Sequence, residues 1–259
     1  MQIKDQLHRI LEFKETPKRI VSLVPSQTEL LVDLGLKDAI VGITKFCVHP
    51  ETLRKEKTIV GGTKQVKLDL IESLKPDIIL CNKEENTKMM VEELQQLAPI
   101  HISDVYDLES CFELIKMYGE LFDVTEKALR LTANIQSERQ NFKQTISIQT
   151  KKSVVYFIWK DPYMVAGGDT FINYMLQDAG FLNIFSNRKR YPEISLEASE
   201  LEKADCILLS SEPFPFKEKH VNELKNRFPD KEIRVVDGEL FSWYGSRLLK
   251  SYPYFKTLP

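Results

Sequence analysis

The side chains best placed to do chemistry in this chain are aromatic. Phe46, Trp159, Tyr163, Tyr191, Phe241, Trp243 and Tyr244 fall in segments that follow strand-like runs, and in an α/β fold those connections border the ligand-binding edge. Trp and Tyr offer flat, rigid, amphipathic faces, and a planar ligand stacked on one gains about 0.5–1.5 kcal/mol beyond the area it buries. Non-covalent capture is the chemistry such a set supports. Covalent chemistry has less to work with. Gly61-Gly62 and Gly167-Gly168 are isolated pairs that begin no phosphate-cradling fingerprint. There is no Gly-x-Ser-x-Gly elbow, and Gly245-Ser246-Arg247 lacks the glycine pattern around a nucleophilic serine. Cys47, Cys81, Cys111 and Cys206 stand too far apart for a zinc knuckle or a redox pair and read as buried free thiols. His8, His49, His101 and His220 are equally scattered, so no metal centre is expected unless folding gathers them.

Composition narrows the class further. The 36 Lys+Arg and 38 Asp+Glu of the 259 residues leave a formal charge of −2, which gives a polyanionic nucleic acid no electrostatic reason to bind. At 42% hydrophobic and 29% charged, the chain has the profile of a folded protein with one large core or two. No apolar run approaches the length of a membrane span, and Lys4, Asp5, Arg9 and Glu12 interrupt the stretch where a signal peptide would need its apolar core.

The elements that must position the rings alternate between strand and helix. Arg19 to Val24 predicts a buried strand, and Ser26-Gln-Thr-Glu29 has the pattern of a capping box opening a helix that closes at Gly35. Ala39 to Ile43, Asp77 to Leu80 and Ile100 to Ile102 read as further strands, separated by helices over Leu68 to Leu74 and Thr87 to Leu97. Residues 108 to 148 carry no strand signal. Their apolar spacing predicts two helices, the second capped by Thr125, with Ala128, Leu131, Ile135 and Phe142 on one face, and about 33 Å long. Strands then return at Val154 to Trp159, a helix runs from Thr170 to Ala179 and ends at Gly180, and Leu201 to Leu209 repeats the Leu74 to Leu80 unit, with Asp205 standing where Asp77 stands. Two similar lobes joined by one long helix are therefore expected: 1–123, a helix over 124–149, and 150–259. The fold class is α/β with two Rossmann-like lobes on central parallel sheets, a design in which a ligand lies in the cleft between lobes.

In order along the chain, Arg19 to Leu31, Leu34-Gly35, Val41-Gly42, Leu74 to Ile79, the helix after Val124, Gly167-Gly168, Gly180 to Phe185 and Gly245 to Arg247 resemble the class III, helical-backbone substrate-binding proteins of ABC importers for vitamin B12, ferric siderophores and haem. The resemblance spans about Lys18 to Leu249 and is strongest to the cobalamin-binding branch. It implies no enzyme activity and no intrinsic cofactor, a monomer, and capture of a corrinoid or related metal chelate. By matching position it implies ligand contacts from Phe46, Trp159, Tyr191 and Phe241, a polar contact from Glu239, and, at the place of a stacking tryptophan in the vitamin receptor, Thr63. Tyr163 and Trp243 join the ligand-binding set from their place among the rings.

The same resemblance implies partners, an ABC permease and its ATPase, met through one acidic residue on each lobe: Asp69 and Glu197. Each is read as standing at the start of a short helix, where the dipole favours a carboxylate in any case. The class works in the periplasm or on the cell surface, while the missing signal sequence favours a cytoplasmic rival, an enzyme or scaffold that keeps the fold. A ferric siderophore or haem is the alternative ligand, and a zinc or manganese receptor would need His49, His101 or His220 to converge with carboxylates.

Overall fold

The computed structural model describes residues 1–146 and 152–258. They fall into two compact units, Met1–Gln136 with Tyr244–Arg247, and Ser137–Trp243 with Leu248 onward.

The first unit opens with a small antiparallel hairpin, β1 (Gln2–Lys4) and β2 (Ile10–Glu12). Its sheet follows, with strands β3 (Ile20–Ser22), β4 (Ile40–Thr44), β5 (Thr58–Gly61), β6 (Ile78–Asn82) and β7 (Ile100–Ser103) in the order β5-β4-β3-β6-β7, all parallel. Connections run through α1 (Pro25–Asp33), α2 (Leu53–Glu56), α3 (Leu68–Ser73) and α4 (Lys88–Leu94), and α5 (Leu108–Leu121) follows the last strand. Parallel strands buried on both faces need near-continuous apolar runs, and Ile78-Ile-Leu-Cys81 and Ile20-Val21 are fully buried accordingly. The hairpin clips onto the sheet edge. Asp5 Oδ2 accepts the N–H of Ile102 (3.2 Å), and Arg9, paired with Asp5 at 2.7 Å, donates to the carbonyl of Ile100 (2.7 Å). Three-residue strands give no readable alternation, so the hairpin is absent from the sequence reading.

Helix α6 (Thr125–Ile146) begins in the first unit and ends in the second. Ala128, Leu131, Ile135 and Phe142 are its buried face, as the spacing predicts. Thr125 is a correction: it lies inside the helix, and its hydroxyl donates to the carbonyl of Gly119 (3.2 Å). The predicted boundary at 149/150 lies outside the described residues.

In the second unit β8 (Ser153–Trp159), β10 (Leu182–Asn183), β11 (Cys206–Ser210) and β12 (Glu232–Val236) pair in parallel in the order β10-β8-β11-β12, and β9 (Met164–Val165) adds antiparallel to β8. Its helices are α7 (Phe171–Asp178), α8 (Glu218–Arg227), α9 (Glu239–Ser242) and α10 (Leu248–Phe255).

The repeat is visible in backbone punctuation. Helix α1 ends with Gly35 at φ 81°, and α7 with Gly180 at φ 92°. In both, the glycine N–H and the next N–H turn back to the last helical turn: Gly35 to Val32 and Leu36 to Leu31, Gly180 to Gln177 and Phe181 to Leu176, a Schellman closure that a side chain at positive φ would strain. The two aspartates also match. Asp77 Oδ2 accepts the N–H groups of Lys18 and Arg19 just before β3, and Asp205 Oδ2 accepts that of Ser153 at the start of β8, each tying the entry of one strand to its neighbour.

Candidate functional site

In a parallel sheet the carboxyl ends of the strands all open on one edge, and the loops there are free to carry recognition. At that edge of the first unit stand Phe46, two residues beyond β4, Thr63, two beyond β5, and Asn82, the last residue of β6. Phe46 is 48% exposed, a large ring left in solvent. Its turn is rigid, because Thr44 Oγ1 accepts the N–H of Phe46 (3.3 Å) and the Thr44 carbonyl that of Cys47 (3.1 Å). Thr63 is half-buried, and its carbonyl accepts from Asn86 Nδ2 (2.8 Å). Asn86 Oδ1 in turn receives the N–H of Asn82 (2.8 Å). Glu85 hydrogen-bonds the Thr63 side chain; desolvation raises its carboxyl pKa against the lowering pull of Lys64.

Behind this edge lies a buried polar network. Gln27 Nε2 donates to Ser103 Oγ (2.5 Å) and Tyr244 Oη (2.8 Å), Tyr118 Oη donates to Gln27 Oε1 (2.6 Å), and Asn82 Nδ2 donates to Ser103 Oγ (3.0 Å). Burial pushes the Tyr118 and Tyr244 hydroxyls well above their ordinary pKa, so both stay neutral. Tyr244 belongs here, in the first unit, and not among rim rings. Arg247 arrives on the same segment and pairs with Glu29 at 2.7 Å, each side chain only 6% exposed. This overturns the capping-box reading: α1 starts on Pro25 after Val24 with no side-chain cap, and Glu29 faces inward to a cation 218 positions away. A proline at the first helical position already supplies the fixed φ, which is why no hydroxyl is needed there.

In the second unit Trp159 closes β8 and is 39% exposed, its indole supported edge-on by Phe214 at 5.7 Å. Tyr163 is half-buried against Phe157 (5.5 Å), and Tyr191, also half-buried, precedes Pro192, whose carbonyl accepts the N–H of Val165. Glu239 opens α9 and is half-buried. Phe241 is a correction. The short α9 turns it into the core, fully buried between Tyr156 (5.2 Å) and Phe255 (4.8 Å), so it packs the unit and offers no face to a ligand. Trp243 is also buried, and Glu212 Oε1 holds it by accepting from its Nε1 (3.0 Å) and from Ser242 Oγ (2.6 Å). Glu212, the anchor of that turn, carries no sequence signal beyond its place after β11.

Asp69 is exposed in the first turn of α3. Glu197 is exposed too, but it precedes the short 3-10 turn Ser199–Lys203 and its cap Ala198, so the helix-start reading holds for Asp69 alone. Arg227 pairs with Glu197 at 2.7 Å, and Ser195 also hydrogen-bonds it; these bonds hold its carboxyl pKa below the usual range.

All four cysteines are free and buried. Among the described residues, no three His, Cys, Asp or Glu side chains gather to hold a metal ion, and no helix is long and apolar enough to cross a membrane. His220 is turned inward, with Nδ1 accepting the Lys217 N–H (2.9 Å) and its ring between Phe214 and Phe216.

The fold is of the α/β class, two units each built on a largely parallel sheet, with α6 beginning in the first and ending in the second. A haem-binding periplasmic protein of Pseudomonas aeruginosa superposes on the chain with a TM-score of 0.82 at 22% identity, covering 93% of this chain and 92% of that one. The family model for periplasmic binding proteins matches residues 20–231, and the chain belongs to that family. It is a substrate-binding protein, not an enzyme. Among named relatives, the ABC transporter substrate-binding lipoprotein YvrC of Bacillus subtilis is 29% identical over 96% of this chain and 82% of its own. A vitamin B12-binding protein of Vibrio campbellii is 28% identical over 74% of this chain and 70% of its own.

Proposed function

We propose that this chain is the substrate-binding component of an ABC importer, working outside the cytoplasmic membrane and capturing a corrinoid or related metal chelate for delivery to a permease and its ATPase. The observation that carries the reading is a pair of large rings left in solvent at strand carboxyl ends, Phe46 in one unit and Trp159 in the other, each on a stiff support. A ring held in solvent on a fixed support offers a face on which a flat ligand can stack. Thr63, Tyr163, Tyr191 and Glu239 are the proposed polar and edge contacts around those rings. Relatives that carry vitamin B12 and a structural neighbour that carries haem support the chelate class. Asp69 and Glu197 are the proposed docking carboxylates, the first presented openly and the second engaged by Arg227. No bond of the ligand is made or broken; stacking and burial of a few hundred Å² of apolar surface at about 25 cal/mol/Å² supply the affinity, less the entropy of association.

Titration of the purified protein with cyanocobalamin, haemin and a ferric siderophore, followed by quenching of tryptophan fluorescence, tests this. Saturable binding of at least one at micromolar concentration is expected, weakened about tenfold by Trp159→Ala, within the range for losing one stacked ring. No response to any of the three at tens of micromolar removes the reading.

A further inference from the structure

We infer that the rim of the first unit selects for carboxylate on the ligand's periphery, through Lys45 beside Phe46 and Lys64 on the adjoining connection; this rests on the metal-chelate reading above and narrows it. Lys45 Nζ lies 5.0 Å from the centroid of the Phe46 ring, and both side chains are exposed. The pair is held in place. The Lys45 N–H donates to the carbonyl of Gly61 (2.8 Å), and the Phe46 N–H is fixed by Thr44 as described. Gly62 underlies the ring: a Cβ there would stand 3.3 Å from Phe46 Cε2, tighter than ordinary packing, and 3.7 Å from Lys45 Cε, an ordinary contact.

Among the described residues, neither lysine is in an ion pair of the kind seen elsewhere on this surface. Lysines elsewhere meet carboxylates, as in Lys37 with Glu56, Lys83 with Asp104 and Lys160 with Glu223. Lys45 meets the ring, and Lys64 Nζ donates to the carbonyl of Glu84 (2.5 Å) within electrostatic reach of the Glu85 carboxyl. A ring face attracts an ammonium weakly at an exposed site and leaves its hydrogen-bonding protons free for an anion. A flat chelate approaching Phe46 thus meets the ammonium lying over that ring, and a carboxylate on the chelate's edge can draw it off the ring face. That geometry suits a carboxylate-rimmed planar chelate and gives little to one rimmed by neutral amides.

Haemin, flat with carboxylates on its rim, and cyanocobalamin, flat with amides, are the two probes, titrated against the wild type, Lys45→Gln, Lys64→Gln, the double variant and Lys45→Arg. Haemin is expected to bind more than about tenfold tighter than cyanocobalamin, to lose about tenfold in the double variant, and to keep its affinity in Lys45→Arg. Salt is expected to weaken haemin in the wild type and to matter less in the double variant. Equal losses for both probes, or no loss for haemin, overturn the charge selection and leave chelate capture standing. Tighter binding of cyanocobalamin does the same. If the wild type binds neither these nor a ferric siderophore, both readings fall together.

Discussion

Helices α1 and α7 occupy the same place in the two repeats and end in the same way, on Gly35 and Gly180, yet they begin and pack differently. Helix α7 starts on Thr170, whose hydroxyl accepts the N–H of Asn173 (3.1 Å). Helix α1 starts on Pro25 and spends its polar residues inward: Gln27 on Ser103 and Tyr244, Glu29 on Arg247. The first unit is therefore knitted by buried polar pairs, while rings fill the second, with Tyr156, Phe241, Phe255, Tyr252 and Phe142 in contact. Its ionic cluster sits nearer the surface, where Arg139 grips buried Asp178 at 2.8 Å and Lys143 joins at 2.9 Å, both cations more than a third exposed. The two units thus share their closing glycines and strand-tying aspartates while their interiors are filled by different chemistry.

Substitution of the ion pairs should give the largest contrast. Arg247→Ala takes the guanidinium away from the enclosed Glu29 side chain and should cost about 3–5 kcal/mol, whereas Lys143→Ala, which leaves Asp178 its arginine, should cost about 1 kcal/mol or less. Urea unfolding by circular dichroism measures both. Since both tryptophans lie in the second unit, fluorescence reports that unit separately, and coincident transitions for Arg247→Ala would mean the units unfold as one.

Acid should separate the units next. His101 is buried on β7, and desolvation lowers its pKa from 6.5 to about 4, with Asp5 pulling upward and Arg9 downward. The unfolded chain takes up that proton first, so the contribution is complete above pH 6.5 and declines toward pH 4, by about 3 kcal/mol. Asp178 behaves otherwise. Burial raises its pKa, but the bonds from Arg139 and Lys143 outweigh that and hold it below 3.8, so its contribution is intact above that pH and is lost only in stronger acid. Between pH 6.5 and 4.5 the first unit should weaken more, and His101→Phe should flatten that dependence; an unchanged slope would show that His101 is not its source.

The smallest effects probe what the repeats share. Gly35→Ala and Gly180→Ala should each cost about 1 kcal/mol, because both glycines close a helix at positive φ. Thr170→Ala should cost about 0.5–1 kcal/mol through loss of its cap. Thermal denaturation resolves these, and a glycine pair differing by more than twofold would break the equivalence.

Much of this plan was legible in the residues. The apolar runs before Pro25 and after Pro76, the glycines after α1 and α7, and the spacing of Ala128, Leu131, Ile135 and Phe142 are local signals, and the structure follows them. What escaped was long-range. Glu29 three positions after Ser26 satisfies a capping pattern just as well as an inward ion pair, and only Arg247, far along the chain, decides between them. Phe241 looked like its aromatic neighbours until α9 set its direction. The strands β1 and β2 are too short for alternation to register.

Tyr244 to Arg247 lie in the first unit although the chain on either side belongs to the second. A protein severed within α6 would accordingly not yield two self-sufficient halves: the amino-terminal piece would be left with a Glu29 carboxylate lacking its countercharge and a Gln27 amide lacking Tyr244. In synthesis, then, a late stretch of the chain completes a unit whose matching residue, Glu29, emerged 218 positions earlier.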